Sequence, residues 1–334
     1  MTEQAEAPVL SELGYSRKRL AELLSMKEEE LVHCETEGAL AEYGGPREQY
    51  EARDLSKYRS ALSRCPPRQQ TRSQLFLNFK GGTGKTCLSV AYAHRLAELG
   101  HRVLLVDLDS QGHASKCLGY EGEVTEATLH DVLIRQFPLK QARVETALPE
   151  LHLLPSNLRM ATVDLGLMPL AGREYRLKKA LAEVRDEYEF IVMDAPPAFG
   201  LLNLSAIVAA QDLFVPVLPD FLSFHGLKLL FETLDDIEQD LDHRLDRIFI
   251  VLNQYNPTTT IARAARDALQ EHYREQLLPV FVRQCTKFAQ ASSEGVPIFA
   301  LDPRSKAAVD IQKLIESTWL GPHEKAQSAR EKRA

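Results

Sequence analysis

The chain has 334 residues, enough for one large domain or two ordinary ones, with 44% apolar and 26% charged residues. Forty Lys and Arg stand against forty-seven Asp and Glu, a net charge of -7, so the molecule as a whole is not built to coat nucleic acid and any such contact has to come from a local patch. No stretch approaches the roughly 18 apolar residues of a membrane span, the N-terminus lacks the basic start and apolar run of a secretory signal, and Cys34, Cys65, Cys87, Cys117 and Cys285 form no CxxC pair, which together predict a cytoplasmic protein with reduced thiols.

The first predicted unit spans residues 1–64. A helix ends near Leu24, Ser25 and Met26 make a short turn, a second helix follows from Lys27, Glu37-Gly38-Ala39 turn a corner, and Tyr50 to Leu55 open a third helix. This order resembles the MerR-type winged helix-turn-helix, which implies a DNA-reading module. The charges argue against simple transfer: through residue 70 there are ten Lys and Arg against thirteen Asp and Glu, and the second helix opens with Lys27-Glu28-Glu29-Glu30, which would set carboxylates against phosphates. Arg17, Lys18, Arg19 and Arg47 keep DNA contact open, with a protein-docking or dimerisation surface as the equal alternative. CPPRQQTRS, residues 65–73, reads as a linker, because paired prolines and polar residues break any periodicity.

From 74 to 320, short apolar runs alternate with helical patterns: SQLFLNF, RVLLVDLD, EFIVMD, DLFVPVL and RIFIVLN are each followed by a helix or loop. Near-continuous apolar strands separated by helices predict an α/β domain, doubly wound, with a mostly parallel sheet covered on both faces. The final residues, 321–334, begin with Gly-Pro, are charged and lack an apolar period, so a flexible tail is expected.

The sharpest chemical signal is Asn78-Phe79-Lys80-Gly81-Gly82-Thr83-Gly84-Lys85-Thr86, between an apolar strand and an amphipathic helix ending at Gly100. A glycine-rich strand-to-helix turn ending in Gly-Lys-Thr turns backbone N–H groups inward around phosphate oxygens. In such a loop Lys85 reaches the β- and γ-phosphates and the Thr86 hydroxyl binds Mg²⁺. The run KGGTGKT resembles the deviant Walker-A signature of the ParA and MinD superfamily of P-loop ATPases. The resemblance implies that Lys80, the extra lysine, reaches across a two-fold interface to the partner's ATP. It also places Gly81, Gly82, Thr83, Gly84 and Cys87 around the nucleotide. Thr83 stands where Val is usual and Cys87 where Thr or Ser is common, so a weak thiol donor replaces a hydroxyl.

Two acids follow in RVLLVDLDSQGH, similar to the VDLDPQGN segment of ParA-type partition ATPases. The likeness implies that Asp109 orients or deprotonates the hydrolytic water and that Asp107 supports the magnesium and the phosphate loop. Helix capping is the plainer alternative for both. The strand EFIVMD ends in Asp194, the Walker-B position that holds Mg²⁺ beside Thr86, and Ala195-Pro196-Pro197 matches the family's Asp-x-Pro-Pro switch. Pro219 and Asn253 fall on the family's base-contacting segments, and a plain strand-end asparagine is the alternative for Asn253. The resemblance covers residues 73 to about 318 and implies ATP and Mg²⁺ as cofactors.

By the same likeness, a basic stripe through Arg263, Arg266, Arg283 and Lys287 would hold DNA nonspecifically, unless it is an ordinary solvated helix face. The implied function is an ATP-sandwich dimer that rides the nucleoid and positions or segregates a cargo, its slow hydrolysis stimulated by a ParB-like or cargo-adaptor partner. Two alternatives stand beside it: a transcriptional regulator reading an operator through the N-terminal unit, and a MinD-like membrane-associated ATPase. The last helix, AAVDIQKLIESTW, has few basic residues beside its apolar stripe, which disfavours the membrane. No cysteine pair suits the cluster of a nitrogenase-type iron protein.

Overall fold

A computed structural model of the chain describes residues 14–120, 127–220 and 222–319. The N-terminal unit consists of β1 (Gly14–Ser16), α1 (Arg17–Leu23), α2 (Glu28–Thr36), β2 (Gln49–Glu51) and α3 (Ala52–Ala61). β1 and β2 pair antiparallel, with Tyr15 opposite Tyr50. Inside it, the buried Glu35 carboxylate accepts from the Tyr50 and Tyr58 hydroxyls at 3.0 and 2.9 Å, which satisfies an acid that burial would otherwise penalise.

The larger unit alternates strand and helix as predicted. Its first half holds β3 (Arg72–Phe76), α4 (Lys85–Glu98), β4 (Val103–Asp107), α5 (His113–Cys117), α6 (Leu129–Arg135), α7 (Leu139–Ala142), β5 (Val144–Glu145), β6 (Leu151–Leu154), α8 (Val163–Leu167) and α9 (Arg176–Ala182). Its second half holds β7 (Phe190–Asp194), α10 (Leu201–Ala209), β8 (Asp212–Val217), α11 (Leu222–Leu241), β9 (Arg247–Tyr255), α12 (Thr260–His272), β10 (Leu277–Arg283), α13 (Lys287–Glu294), α14 (Ile298–Leu301) and α15 (Lys306–Trp319). The sheet order is β10-β9-β8-β3-β7-β4-β6-β5, parallel throughout except for the two-residue edge strand β5. At the other edge the register of β10 on β9 shifts twice. The central strands β4 and β7 are buried at every residue, as strands covered on both faces must be.

One apolar core lies on the sheet face that carries α6 and α8 to α11, and a second on the face that carries α4, α14 and α15. The N-terminal unit joins this second core: Leu20, Leu24, Leu55 and Tyr58 are fully buried in the same cluster as Leu88, Tyr92 and Leu96 of α4. Burying each such side chain contributes about 1.5–3 kcal/mol. Polar contacts add direction. Glu98, at the end of α4, accepts from Arg19 at 3.0 Å and Arg95 at 2.8 Å, while Arg59 donates to its carbonyl at 2.6 Å. The sequence led us to expect a linker that keeps the first unit apart. Instead the segment threads along the larger unit, with Thr71 donating to the Tyr188 carbonyl and Trp319 to Gln69, and β3 begins at Arg72, one residue before the expected apolar run. The expected tail, 321–334, lies outside the described residues.

Candidate active site

The phosphate loop leaves β3 at the carboxyl edge of the sheet. Asn78 fixes its first turn: its Nδ2 donates to the Pro216 carbonyl at 2.7 Å and its Oδ1 accepts from the Lys80 amide at 2.9 Å. Gly82 and Gly84 have φ of +73° and +89°, a region that penalises any side chain, and a Cβ on Gly84 would collide with the Asn253 carboxamide. Lys85 is almost fully buried and its Nζ donates to the Lys80 carbonyl at 3.2 Å, so the cationic head curls over the loop where phosphate oxygens would sit. Burial pulls its pKa down, while Asp194 and then Asp109 pull the other way.

Two carboxylates stand side by side on adjacent strands, with Asp107 of β4 in register with Asp194 of β7. Both are fully buried, but they are treated differently. Asp107 accepts from the Asp109 amide at 3.1 Å, the Ser115 amide at 2.8 Å and the Ser115 hydroxyl at 2.7 Å. Burial pushes its pKa up to about 6 against those hydrogen bonds. Neither oxygen of Asp194 has a hydrogen-bond partner of good geometry, and burial, then the Asp107 charge, push it up to about 8 despite the nearby Thr86 and Ser89 hydroxyls and the Lys85 amine. A buried carboxyl left open in this way fits a divalent cation, whose charge would reverse that shift. Among the described residues no three His, Cys, Asp or Glu side chains cluster to hold a metal. Asp194 and Thr86 would hold magnesium, with nucleotide phosphates and water filling its other positions.

Asp107 accepts from the Asp109 and Ser115 amides and the Ser115 hydroxyl, so it shapes the turn that carries Asp109. Asp109 is half-buried, and its Oδ1 accepts from the Gln111 amide at 3.0 Å, leaving Oδ2 for water. Asn253 is engaged by the phosphate loop itself. Its Nδ2 donates to the Thr83 carbonyl at 2.7 Å and its Oδ1 accepts from the Gln254 amide at 2.9 Å, so the carboxamide braces the phosphate loop instead of standing free for a base. Gln254 takes φ +53° to make this possible. Pro219 lies half-buried just past β8. Cys87 is in the first turn of α4, and burial, followed by Asp194, pushes its thiol up to about 11, so it stays protonated.

The basic stripe is only partly available. Arg263 and Arg266 are exposed on α12, but Arg263 donates to the Pro257 carbonyl at 3.0 Å. Arg283 is clamped by Asp310 through two guanidinium contacts at 2.7 and 2.8 Å and its backbone amide at 3.0 Å, so its fork is already filled by a carboxylate of its own chain. Lys287 donates to Gln290 at 2.8 Å. Sequence reasoning missed three residues that brace this region: Ser115, Asn203, which donates to the Pro196 carbonyl at 3.0 Å in the segment after Asp194, and Asp220, which pairs with Lys80. Only Asp220 had a local signal, as the acid directly after Pro219.

Residues 72–247 match the family described as AAA domain. The cell division protein PomZ of Myxococcus xanthus is 57% identical over 303 residues, 91% of this chain and 92% of that protein. The sporulation initiation inhibitor protein Soj of Bacillus subtilis is 32% identical, covering 69% of this chain and 91% of its own length. Among solved structures, cobyrinic acid a,c-diamide synthase of Mycobacterium smegmatis, with an ATP analogue and magnesium bound, superposes with a TM-score of 0.66 at 28% identity, over 75% of this chain and 94% of that one. MinD of Pyrococcus horikoshii, complexed with Mg-ADP, shares the fold with a TM-score of 0.62 at 24% identity, over 75% of this chain and 96% of that one.

Proposed function

Because this chain belongs to the ParA/MinD family of P-loop ATPases, with ATP and Mg²⁺ as its cofactors, we propose that it is a positioning ATPase that works as an ATP-sandwich dimer on DNA. The observation that carries this reading is the second lysine. Lys85 curls into the cradle of its own loop, whereas the Lys80 amine pairs with Asp220, just past β8, at 2.8 Å. Phosphoryl transfer depends mostly on positioning and charge neutralisation, and the residues for it are at hand: Lys85 and Thr86 in the cradle, Asp194 for magnesium, and Asp109 on a turn shaped by Asp107 to order the attacking water. Magnesium would neutralise the phosphate charge that develops. Hydrolysis would be slow until a partner protein completes the site, as the resemblance implies.

The DNA track rests on Arg266 and Lys287, with Arg263 beside them and Arg283 available only once Asp310 lets go. The domain reading puts residues 1–64 as a MerR-like unit and 74–320 as the ATPase. Exposed Glu28, Glu29 and Glu30 on α2 favour protein over DNA as the ligand of that unit. The test is binding to nonspecific duplex DNA with ADP, with ATP, and with ATP on an Asp109→Ala chain that cannot hydrolyse it. Binding should require ATP, persist in Asp109→Ala and weaken with salt, the log–log slope losing about 0.9 for each phosphate contact removed by Arg266→Glu or Lys287→Glu. Equal binding with ADP and ATP, or none, sinks the DNA track.

A further inference from the structure

The phosphate loop and the segment that follows Asp194 touch through two rings. Phe79, at the position where a G-x-x-x-x-G-K-[ST] loop has its first glycine, meets Phe199 edge to face, with ring centroids 5.4 Å apart and planes at 80°. A glycine at that position could make no such contact. The rest of the segment is tied elsewhere: Asn203 donates to the Pro196 and Ala198 carbonyls, and Asp164 caps α10 by accepting from the Leu202 amide at 2.9 Å. Pro196 and Pro197 have no amide hydrogen to offer. Among the described residues no hydrogen bond or ion pair joins residues 196–200 to the phosphate loop, so the ring contact is the tie between them. Phe79 packs partly buried against the core, whereas Phe199 is 73% exposed, which makes Phe79 the anchor and Phe199 the ring that rests on it. Packing does not lock the pair, because a cavity of about 210 Å³ opens beside both rings, between Asn203, Leu204, Thr233 and Ile237.

We propose that Phe199 is a positioning residue that holds the segment after Asp194 against the phosphate loop, through the ring of Phe79, and so readies the nucleotide site for the terminal phosphate of ATP. The inference rests on the ATPase reading above, in which Asp194 holds magnesium and Ala195-Pro196-Pro197 is the switch that the resemblance implies. A segment already in place loses less freedom when the nucleotide arrives, and the saving appears as affinity. Mg-ADP lacks the phosphate that the segment would meet, so the gain falls on Mg-ATP. An edge-to-face ring pair contributes about fivefold to an equilibrium beyond the area it buries.

The test is a double-mutant cycle on the full chain, with Phe79→Leu, Phe199→Leu and both together, each in the Asp109→Ala background so that ATP is not consumed. Two quantities are read: the dissociation constants of Mg-ATP and Mg-ADP, at protein concentrations where the chain sediments as a monomer, and amide hydrogen exchange of residues 198–201 without nucleotide. Each single substitution should lower the preference for ATP over ADP about fivefold, the two together should lower it no further, and each should speed the exchange. Phe199→Tyr, which keeps the ring, should restore both the preference and the slow exchange. An unchanged preference in Phe199→Leu overturns the proposal, with or without faster exchange. Losses that multiply to about twenty-five-fold in the double variant overturn it too, because the rings then act independently. If the parent chain binds neither nucleotide, the ATPase reading falls and takes the role in ATP binding with it, while the exchange measurement still judges the ring tie by itself.

Discussion

The two ends of α4 handle buried charge in opposite ways. At its start, Lys85 and the neighbouring Asp194 are buried with their charges incompletely matched, and Asp194 lacks good hydrogen-bond partners altogether. At its end, Glu98 is equally buried but its Oε2 meets both Arg19 and Arg95, and its pKa falls in spite of burial, the largest influence, because His94, Arg19 and Arg95 outweigh it. The helix therefore leaves charge open where a ligand supplies the counter-charge and closes it where the chain's own N-terminal unit does. A buried group without a partner is costly, so the open end marks a site selected for binding at the expense of stability.

The largest effect should come from breaking the open end. Asp194→Ala is expected to lower Mg-dependent ATP hydrolysis about a thousandfold, roughly 4 kcal/mol, in a steady-state assay. The same change should leave the nucleotide-free chain as stable or more so in thermal unfolding. The sign with pH follows. Asp194 titrates near pH 8 in the fold, well above an unfolded aspartate near 4, so it holds a proton in the native state that the unfolded chain has lost. Its contribution is full below about pH 4 and is lost as pH rises toward 8. Asp194→Asn should flatten that part of the stability profile, and an unaltered slope would deny the open carboxyl. Breaking the closed end comes next: Glu98→Ala leaves Arg19 and Arg95 without their buried partner and should cost about 3 kcal/mol in denaturant unfolding. If the loss is instead below about 1 kcal/mol, the two ends do not differ as argued. The smallest effect sharpens the contrast. Asn253→Ala deletes one brace on the phosphate loop, about 1 kcal/mol, and should weaken ATP binding several-fold with little change in kcat.

What could be read in advance follows the same division. The turn between β3 and α4 and the acids at the ends of β4 and β7 were legible as positions because a loop between strand and helix and an acid at a strand end are local patterns. The alternating apolar runs likewise predicted the parallel sheet. The clasp of Lys80 by Asp220 and the bracing of Thr83 by Asn253 join residues 140 and 170 apart, and no local pattern encodes such a contact. The clamp on Arg283 was missed for a similar reason: an exposed basic run in sequence says nothing about an aspartate returning on α15. The docking of the N-terminal residues on α4 had no local signal either. Apolar periodicity shows that Leu20 and Leu24 must be covered, not that α4 covers them.

The edges of the sheet carry a last consequence. β5 is two residues long and antiparallel, and β10 carries Pro279 and slips its register on β9 twice. Neither edge presents a long regular row of free amides and carbonyls for another chain to extend, so strand-to-strand growth into fibres is blocked at both ends. Pairing between copies therefore finds no regular template at either edge of the described sheet, and crowding does not by itself convert one copy into a seed for the next.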